Sequence, residues 1–312
     1  MSLALLVTGA TGQLGSAVLR RAHQAPDIAF ARGLDRVALD LTDPFAARDT
    51  VQEWARVVRS DDPGHRLVVI NAAAWTAVDD AEEQEEEAYA VNAAGPAVLA
   101  TACGESDASL LHISTDYVFA GDETRPYDVD DPTEPRTAYG RTKLAGEEAV
   151  RALLPTASWV VRTAWLYGGT GPSFVHTMAT LESTRDTVDV VDDQLGSPTW
   201  AGDLASALLS LARSDTPPGT YHATNAGEAS WWDFARAVFE ELGADPARVR
   251  RTTSTSFVRP APRPSYGVLS GRAWAEEGLP PMQHWREALA EAFRVEGDEL
   301  RRGAPGVRGP SR

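Results

Sequence analysis

Cysteine occurs once in these 312 residues, at Cys103, so the chain holds no internal disulfide. No Cys/His pairs stand at zinc-ligand spacing, and no two of the six histidines lie four residues apart, so no metal site is expected. No apolar run approaches the ~18 residues that a membrane helix needs. The opening run Leu3–Val7 is too short for a signal peptide. Positive charge is in deficit: 29 Lys plus Arg stand against 45 Asp plus Glu, a net −16. That excludes a general nucleic-acid binder, which needs a basic face. It leaves phosphorylated small molecules open, because backbone N–H groups at a helix start hold phosphate without lysine. The simplest expectation is a cytoplasmic protein with neither membrane nor nucleic-acid partners.

Lysine is scarcer still. Among the basic side chains only Lys143 is a lysine. Chance allows a count of one. The alternative is that position 143 needs an ammonium, which a guanidinium cannot replace in shape.

What is present reads as α/β. Leu3–Val7 is a short, unbroken apolar strand, followed by Thr8 to Gly15 and a helix over Ser16 to His23. Ile28–Phe30 and Val37–Leu39 read as further strands. Pro44 to Arg59 has helical spacing behind a cap at Thr42 or Asp43. Leu67–Ile70 and Leu110–Ile113 are strands around a helical stretch, Asp79 to Cys103, with an irregularity expected near Gly95-Pro96. This alternation implies βαβ units and a parallel sheet. Ala120 to Thr137 reads as a loop, Tyr139 to Leu154 as a helix and Trp159–Arg162 as a strand. Helices over 173–182, 202–213, 230–242 and 283–293 then mix with short strands in an α+β pattern. The length suits two lobes: 1–165 mainly binding a dinucleotide and 166–300 mainly binding substrate, with the chain free to cross between them. Residues 303–312, rich in Gly, Pro and Arg, read as a disordered tail. The acidic run Glu82 to Glu87 reads as a solvated face rather than a metal site.

Gly9, Gly12 and Gly15 form G-x-x-G-x-x-G between a strand and a helix. The first allows the tight turn, the second lets a pyrophosphate approach the backbone, and the third lets the helix pack on the strand. The second strand ends Phe30-Ala31-Arg32-Gly33, without the terminal acid that favours NADH. Arg32 in that place points to NADPH, with NADH left open and a solvated arginine as the plain alternative. Asp40 and Leu41 are placed to reach the adenine, and Ala72, Ala73 and Ala74 offer small residues where a cofactor lies on the strand ends.

Tyr139 and Lys143 stand four residues apart, on one helix face. A free phenol, of pKa about 10, is a poor acid or base near neutrality. A neighbouring ammonium is expected to lower it and make acid–base work possible. Ser114 to Phe119 follow the strand Leu110–Ile113, and a hydroxyl there, on Ser114 or Thr115, can hydrogen-bond the oxygen that Tyr139 protonates.

These marks resemble the extended short-chain dehydrogenases/reductases, and more closely the dTDP-4-dehydrorhamnose reductase family. The matching stretches are Gly12 to Gly15, Asn71 to Ala74, Thr76 to Asp79, Ser114 to Phe119, Tyr139 to Lys143 with Gly146-Glu147, Arg162 to Gly168, Asp193 to Thr199 and Arg263-Pro264. The resemblance implies a Rossmann-like doubly wound parallel sheet with a smaller α+β C-terminal substrate lobe. It implies NAD(P)H-dependent reduction of the 4-keto group of a dTDP 4-keto-6-deoxy sugar, with Thr115, Tyr139 and Lys143 catalytic. It places Gly12, Gln13, Leu14, Asp40, Leu41, Ala72 to Ala74, Tyr139 and Lys143 at the cofactor, and Thr115, Asp116 and Trp165 at the sugar. Trp165 by itself also suits a core aromatic. A homodimer is compatible with the resemblance. Two departures stand out. Gly267 occupies the place of a serine common in the family. Ala17 occupies that of a glutamate with which some members hold magnesium at a dimer contact, which leaves Mg2+ dependence open. The rival enzyme is a reductase of another dTDP-keto-sugar in antibiotic assembly, such as the one forming dihydrostreptose. A rival of another class is a non-catalytic regulatory subunit of the same fold, like the methionine adenosyltransferase beta subunit. The intact Thr–Tyr–Lys trio speaks against it.

Overall fold

A computed structural model describes residues 2–302; the expected tail at 303–312 lies outside them. The first half runs β1 (Leu3–Thr8), α1 (Gln13–Ala22), β2 (Ile28–Leu34), α2 (Pro44–Asp61), β3 (Arg66–Asn71), α3 (Glu85–Tyr89), α4 (Gly95–Glu105), β4 (Ser109–Thr115), α5 (Ala138–Leu153) and β5 (Ser158–Thr163). The second half runs β6 (Leu166–Tyr167), α6 (Phe174–Thr184), β7 (Val188–Val191), β8 (Leu195–Gly196), β9 (Thr199–Trp200), α7 (Ala201–Arg213), β10 (Gly219–His222), β11 (Ala229–Ser230), α8 (Trp231–Glu241), β12 (Val249–Thr252), α9 (Arg272–Glu276) and α10 (Trp285–Arg301).

Six strands form one sheet in the order β10-β5-β4-β3-β1-β2, every pairing parallel. β1 is buried along its whole length, as its unbroken apolar run requires of a strand covered on both faces. Leu3, Leu5 and Val7 pack with α1 and α7 on one face; Ala4 and Leu6 pack with α2 and α4 on the other. A separate core gathers α6, α8 and α10 with β7 and β12. The chain recrosses after residue 165, because α7 lies on α1 and β10 completes the sheet edge. The order reverses between β1 and β3, where Thr8 pairs with Asn71, and doubly wound sheets bind ligands at such a switch point.

Three expectations are corrected here. Val37–Leu39 is not a strand: Asp35 Oδ1 accepts the Val37 and Ala38 N–H groups at 3.0 and 2.8 Å, turning the chain and taking donors that a strand would need. Val37 is 96% exposed. β2 runs on through Arg32 and Gly33 to Leu34, so an acid, Asp35, does follow it. The acidic run is only partly a solvated face. Glu82 accepts the Ala138 N–H at 2.9 Å and Glu85 takes the Arg141 guanidinium through two bonds, so two of its carboxylates brace the start of α5. The irregularity expected near Gly95 is a π-helical turn at Ala90–Ala94.

Candidate active site

The glycine loop closes the switch point. Gly9 has φ +67°, and a Cβ there would fall 2.7 Å from the Ala72 carbonyl oxygen. A Cβ on Gly15 would fall 2.2 Å from the Gly9 oxygen, so α1 rests directly on the loop. Gly12 caps α1 with no side-chain hydrogen bond, and no acid stands in the first turn. The first N–H groups therefore face outward without a competing anion, which fits the pyrophosphate of a dinucleotide. Gln13 reaches across to the Gly168–Pro172 turn, its Nε2 donating to the Pro172 carbonyl at 2.7 Å, while its Oε1 is buried without a partner among the described residues. Leu14 is buried beneath the loop.

Around this cradle lie the other expected cofactor residues. Ala72, Ala73 and Ala74 continue from the end of β3, and the Ala73 N–H donates to Asn71 Oδ1 at 3.3 Å. Leu41 is buried against Gly95. Asp40 is exposed, and its carboxylate accepts the Thr42 N–H and hydroxyl at 2.9 and 2.7 Å, which hold its pKa below the ordinary value. Arg32 is exposed within β2, opposite Leu6, rather than beyond the strand end. Ala17 is buried in the sheet core, turned away from any surface contact. No His, Cys, Asp and Glu side chains gather into a metal-binding group among the described residues.

Thr115 ends β4, and Tyr139 and Lys143 stand on the first two turns of α5, all three buried. Thr137 caps that helix, accepting the Gly140 N–H at 3.0 Å. Two glycines let α5 come close: a Cβ at Gly140 would meet the Tyr117 oxygen at 2.2 Å, and one at Gly146 the Asn92 oxygen at 2.1 Å. The Lys143 ammonium donates to the Ile113 carbonyl at 2.6 Å, and burial lowers its pKa to about 8 against the opposing charge of Glu147. Burial pushes the Tyr139 phenol up to about 12; Thr115 hydrogen-bonds it and pulls it back, and Asp116 pushes it further. The expected lowering of Tyr139 by Lys143 is thus reversed: the loss of water around the phenol outweighs the Thr115 hydrogen bond that opposes it. A protonated phenol is the form that a reduction requires, since it must give a proton.

Asp116 is fully buried, and burial raises its pKa to about 7. Its Oδ1 accepts the Thr115 hydroxyl at 2.9 Å, while Oδ2 has no partner among the described residues. Gly267 lies against that oxygen: a Cβ there would fall 2.7 Å from Oδ2, so glycine in the serine place leaves the carboxylate room. Trp165 is half-buried at φ +44°, a conformation rare for a bulky residue. Its ring is stacked on Trp231 at 3.4 Å and backed by Gly196, where a Cβ would meet it at 2.3 Å. Trp231 escapes the sequence argument because it lies far along the chain from the trio; Gly196 enters there only within a matching stretch and Gly267 only as a departure, neither with a role at the site. Beneath the site, Thr8 donates to Asn71 at 2.7 Å and Asn71 meets His112 Nδ1 at 3.0 Å, across three neighbouring strands. Burial and the nearby Lys143 charge hold His112 neutral.

Residues 3–296 match the family model described as the RmlD substrate binding domain. The chain is similar to a dTDP-4-dehydrorhamnose reductase of Streptomyces griseus, 49% identical over 308 residues, covering 97% of each chain. It is equally similar, 49% over 304 residues, to a probable dTDP-4,6-dihydroxy-2-methyloxan-3-one 4-ketoreductase of Streptomyces antibioticus, covering 96% of this chain and 99% of the other. Its structure resembles that of dTDP-4-dehydrorhamnose reductase from Bacillus anthracis in complex with NADP, with a TM-score of 0.86 at 34% identity, covering 94% of this chain and 99% of that one.

Proposed function

The chain belongs to the RmlD substrate binding domain family, that of the dTDP-4-dehydrorhamnose reductases, and we propose that its Thr115–Tyr139–Lys143 site reduces the 4-keto group of a dTDP 4-keto-6-deoxy sugar. It is an NAD(P)H-dependent oxidoreductase. One observation carries the assignment of the site: a buried, protonated phenol, a hydroxyl and an ammonium converge beside a glycine cradle at the strand ends.

Bound NAD(P)H supplies the hydride that the ketone carbon takes. Tyr139 gives its proton to the carbonyl oxygen, and the Thr115 hydroxyl orients that oxygen. Lys143 holds the ribose hydroxyls and steadies the phenolate left behind, drawing on the N–H bonds that its Ile113 contact leaves over. Asp116 and Trp165 hold the sugar: the unpartnered Oδ2 accepts a hydroxyl, and the half-buried indole, fixed against Trp231 and Gly196, stands beside it. Gly9, Gly12, Gln13 and Leu14 seat the pyrophosphate, with Asp40, Leu41 and Ala72 to Ala74 along the adenosine.

Arg32 favours NADPH in this reading, because it places an exposed guanidinium near the end of β2, where the turn already engages Asp35 Oδ1. Arg32→Ala should then raise the NADPH dissociation constant about tenfold and leave NADH unmoved. Equal shifts for both cofactors return Arg32 to a solvated role. The test of the reaction is product identification after incubation with NADPH and dTDP-4-keto-6-deoxy sugars, with and without a 3,5-epimerase. Reduction of a different keto-sugar alone would favour the rival reading as a reductase of another dTDP-keto-sugar, in line with the 4-ketoreductase name of the Streptomyces antibioticus relative.

A further inference from the structure

Between β12 and Pro264 the chain runs as a strap held at both ends. At one end Asp193 accepts the Ser254 N–H at 2.9 Å and its hydroxyl at 2.8 Å. At the other end Asp79, in the loop after β3, accepts the Ala261 N–H at 3.2 Å and the Arg263 guanidinium at 2.8 Å. The first hold lies in the turn after β7 and the second in the loop after β3, so the strap ties the second half of the chain to the first.

Both holds sit at the rim of the reaction site. Tyr117 meets the Tyr139 ring edge-on at 5.5 Å, and it feels the charges of Arg263 and Asp79 on top of a dominant burial effect. The Asp193 loop leads into β8, whose Gly196 backs Trp165. The middle of the strap, 255–260, is exposed throughout. It carries Phe257 at 44% and Val258 at 90% exposure, beside Arg259. Arg259 makes no hydrogen bond or ion pair among the described residues. Its charge nevertheless reaches Asp79: burial pushes that carboxyl up, and the Arg263 and Ala261 hydrogen bonds with the charges of Arg263 and Arg259 bring it below its ordinary value.

An exposed apolar pair next to an uncommitted guanidinium has no structural role in holding the strap. A substrate whose ketone meets Tyr139 carries a diphosphate and a base beyond the sugar, and the strap is held at two places, Asp79 and Asp193, that adjoin the Tyr117 and Trp165 sides of that site. In a chain of net charge −16 that dianion needs a local cation, and Arg263 is already spent on Asp79. A guanidinium fork matches phosphate oxygens, and an aromatic ring matches a base face. We infer that the 255–260 strap receives the nucleoside diphosphate half of the substrate, Arg259 on the diphosphate and Phe257 beside the base. This rests on the reductase reading.

The test uses the full chain, with dTDP alone as a probe of binding by calorimetry and dTDP-4-dehydrorhamnose with NADPH for rates. A contact remote from the reacting carbon serves ground and transition states alike, so its loss raises KM and spares kcat. Arg259→Ala should raise both the dTDP dissociation constant and KM about tenfold, with kcat within about twofold and NADPH affinity unchanged. Arg259→Lys should recover part of the loss, and Phe257→Ala should weaken dTDP by a smaller factor. Unchanged dTDP affinity in Arg259→Ala overturns the inference, as does a fall in kcat at constant KM. If wild type binds dTDP through Arg259 but turns over no keto-sugar, the strap assignment stands and the proposed reaction fails.

Discussion

A phenol taken out of water resists ionising, and at Tyr139 this decides what the side chain can do. Pushed up to about 12, it remains a proton donor across the neutral range, ready before any substrate arrives. Tyr139→Phe should therefore keep fold and cofactor affinity while turnover falls by about 10²–10⁴, the usual worth of general acid catalysis. Activity within about threefold of wild type would falsify the role. Lys143→Arg keeps the charge but widens it into a plane, in a buried slot where the ammonium meets the Ile113 carbonyl at 2.6 Å. Cofactor binding and rate should both drop, the rate by about 10²-fold for a misplacement near 1 Å. Titration and turnover on the two variants side by side separate a lost proton from a lost position. The lone lysine was visible as an anomaly of composition. That its neighbour's pKa moves up was not, since burial cannot be read from a four-residue spacing.

At the scale of the element, α5 is seated by absences of side chain. Gly146 lets the helix lie on the Asn92 carbonyl in the π-helical turn, and Asn92 in turn donates to Thr142 at 3.1 Å. Gly146→Ala forces a methyl into that contact and should cost about 1–3 kcal/mol, as overpacking does. Denaturant unfolding measures it; a loss under about 0.5 kcal/mol would mean that the two helices part easily. The helix itself and the glycine loop were legible because their signals are local: a cap, a period and a strand–glycine–helix order. The end of β2 was not, because Val37–Leu39 has the composition of a strand and only the Asp35 carboxylate decides against one. Nor were Gly267 beside Asp116 or Arg263 on Asp79, contacts that span about 150 residues or more of chain and leave no periodic trace.

Across the whole molecule, the sheet joins both halves of the chain, and its far edge carries a buried histidine. His222 ends β10 edge-on to Phe119, and burial with the Arg162 charge lowers its pKa from 6.5 to about 3. Above about pH 6.5 folded and unfolded chains both hold it neutral. Below that, the unfolded chain gains a proton that the folded chain refuses until about pH 3, so stability falls as pH drops through this window. One proton contributes a slope of about 1.4 kcal/mol per pH unit. His222→Gln cannot take that proton, and its acid limb in denaturant titrations should be shallower by about that amount; parallel limbs would mean that His222 protonates freely when folded.

The recrossing of the chain has a consequence for synthesis. β5 leaves the ribosome with its outer edge unpaired, because its partner β10 follows roughly 60 residues later, an interval of about 3–12 s at ordinary elongation rates. Further on still, the Glu296 carboxylate, near the end of α10, takes the Arg20 guanidinium of α1 at 2.7 Å, the Gly169 N–H at 2.9 Å and the Trp200 indole at 3.1 Å. The helix that begins at the glycine loop is thus fastened by a residue that emerges far later in synthesis than the helix itself. The nascent chain must wait with an apolar sheet edge open, and it is in that interval, rather than in the finished molecule, that a chaperone would find this protein.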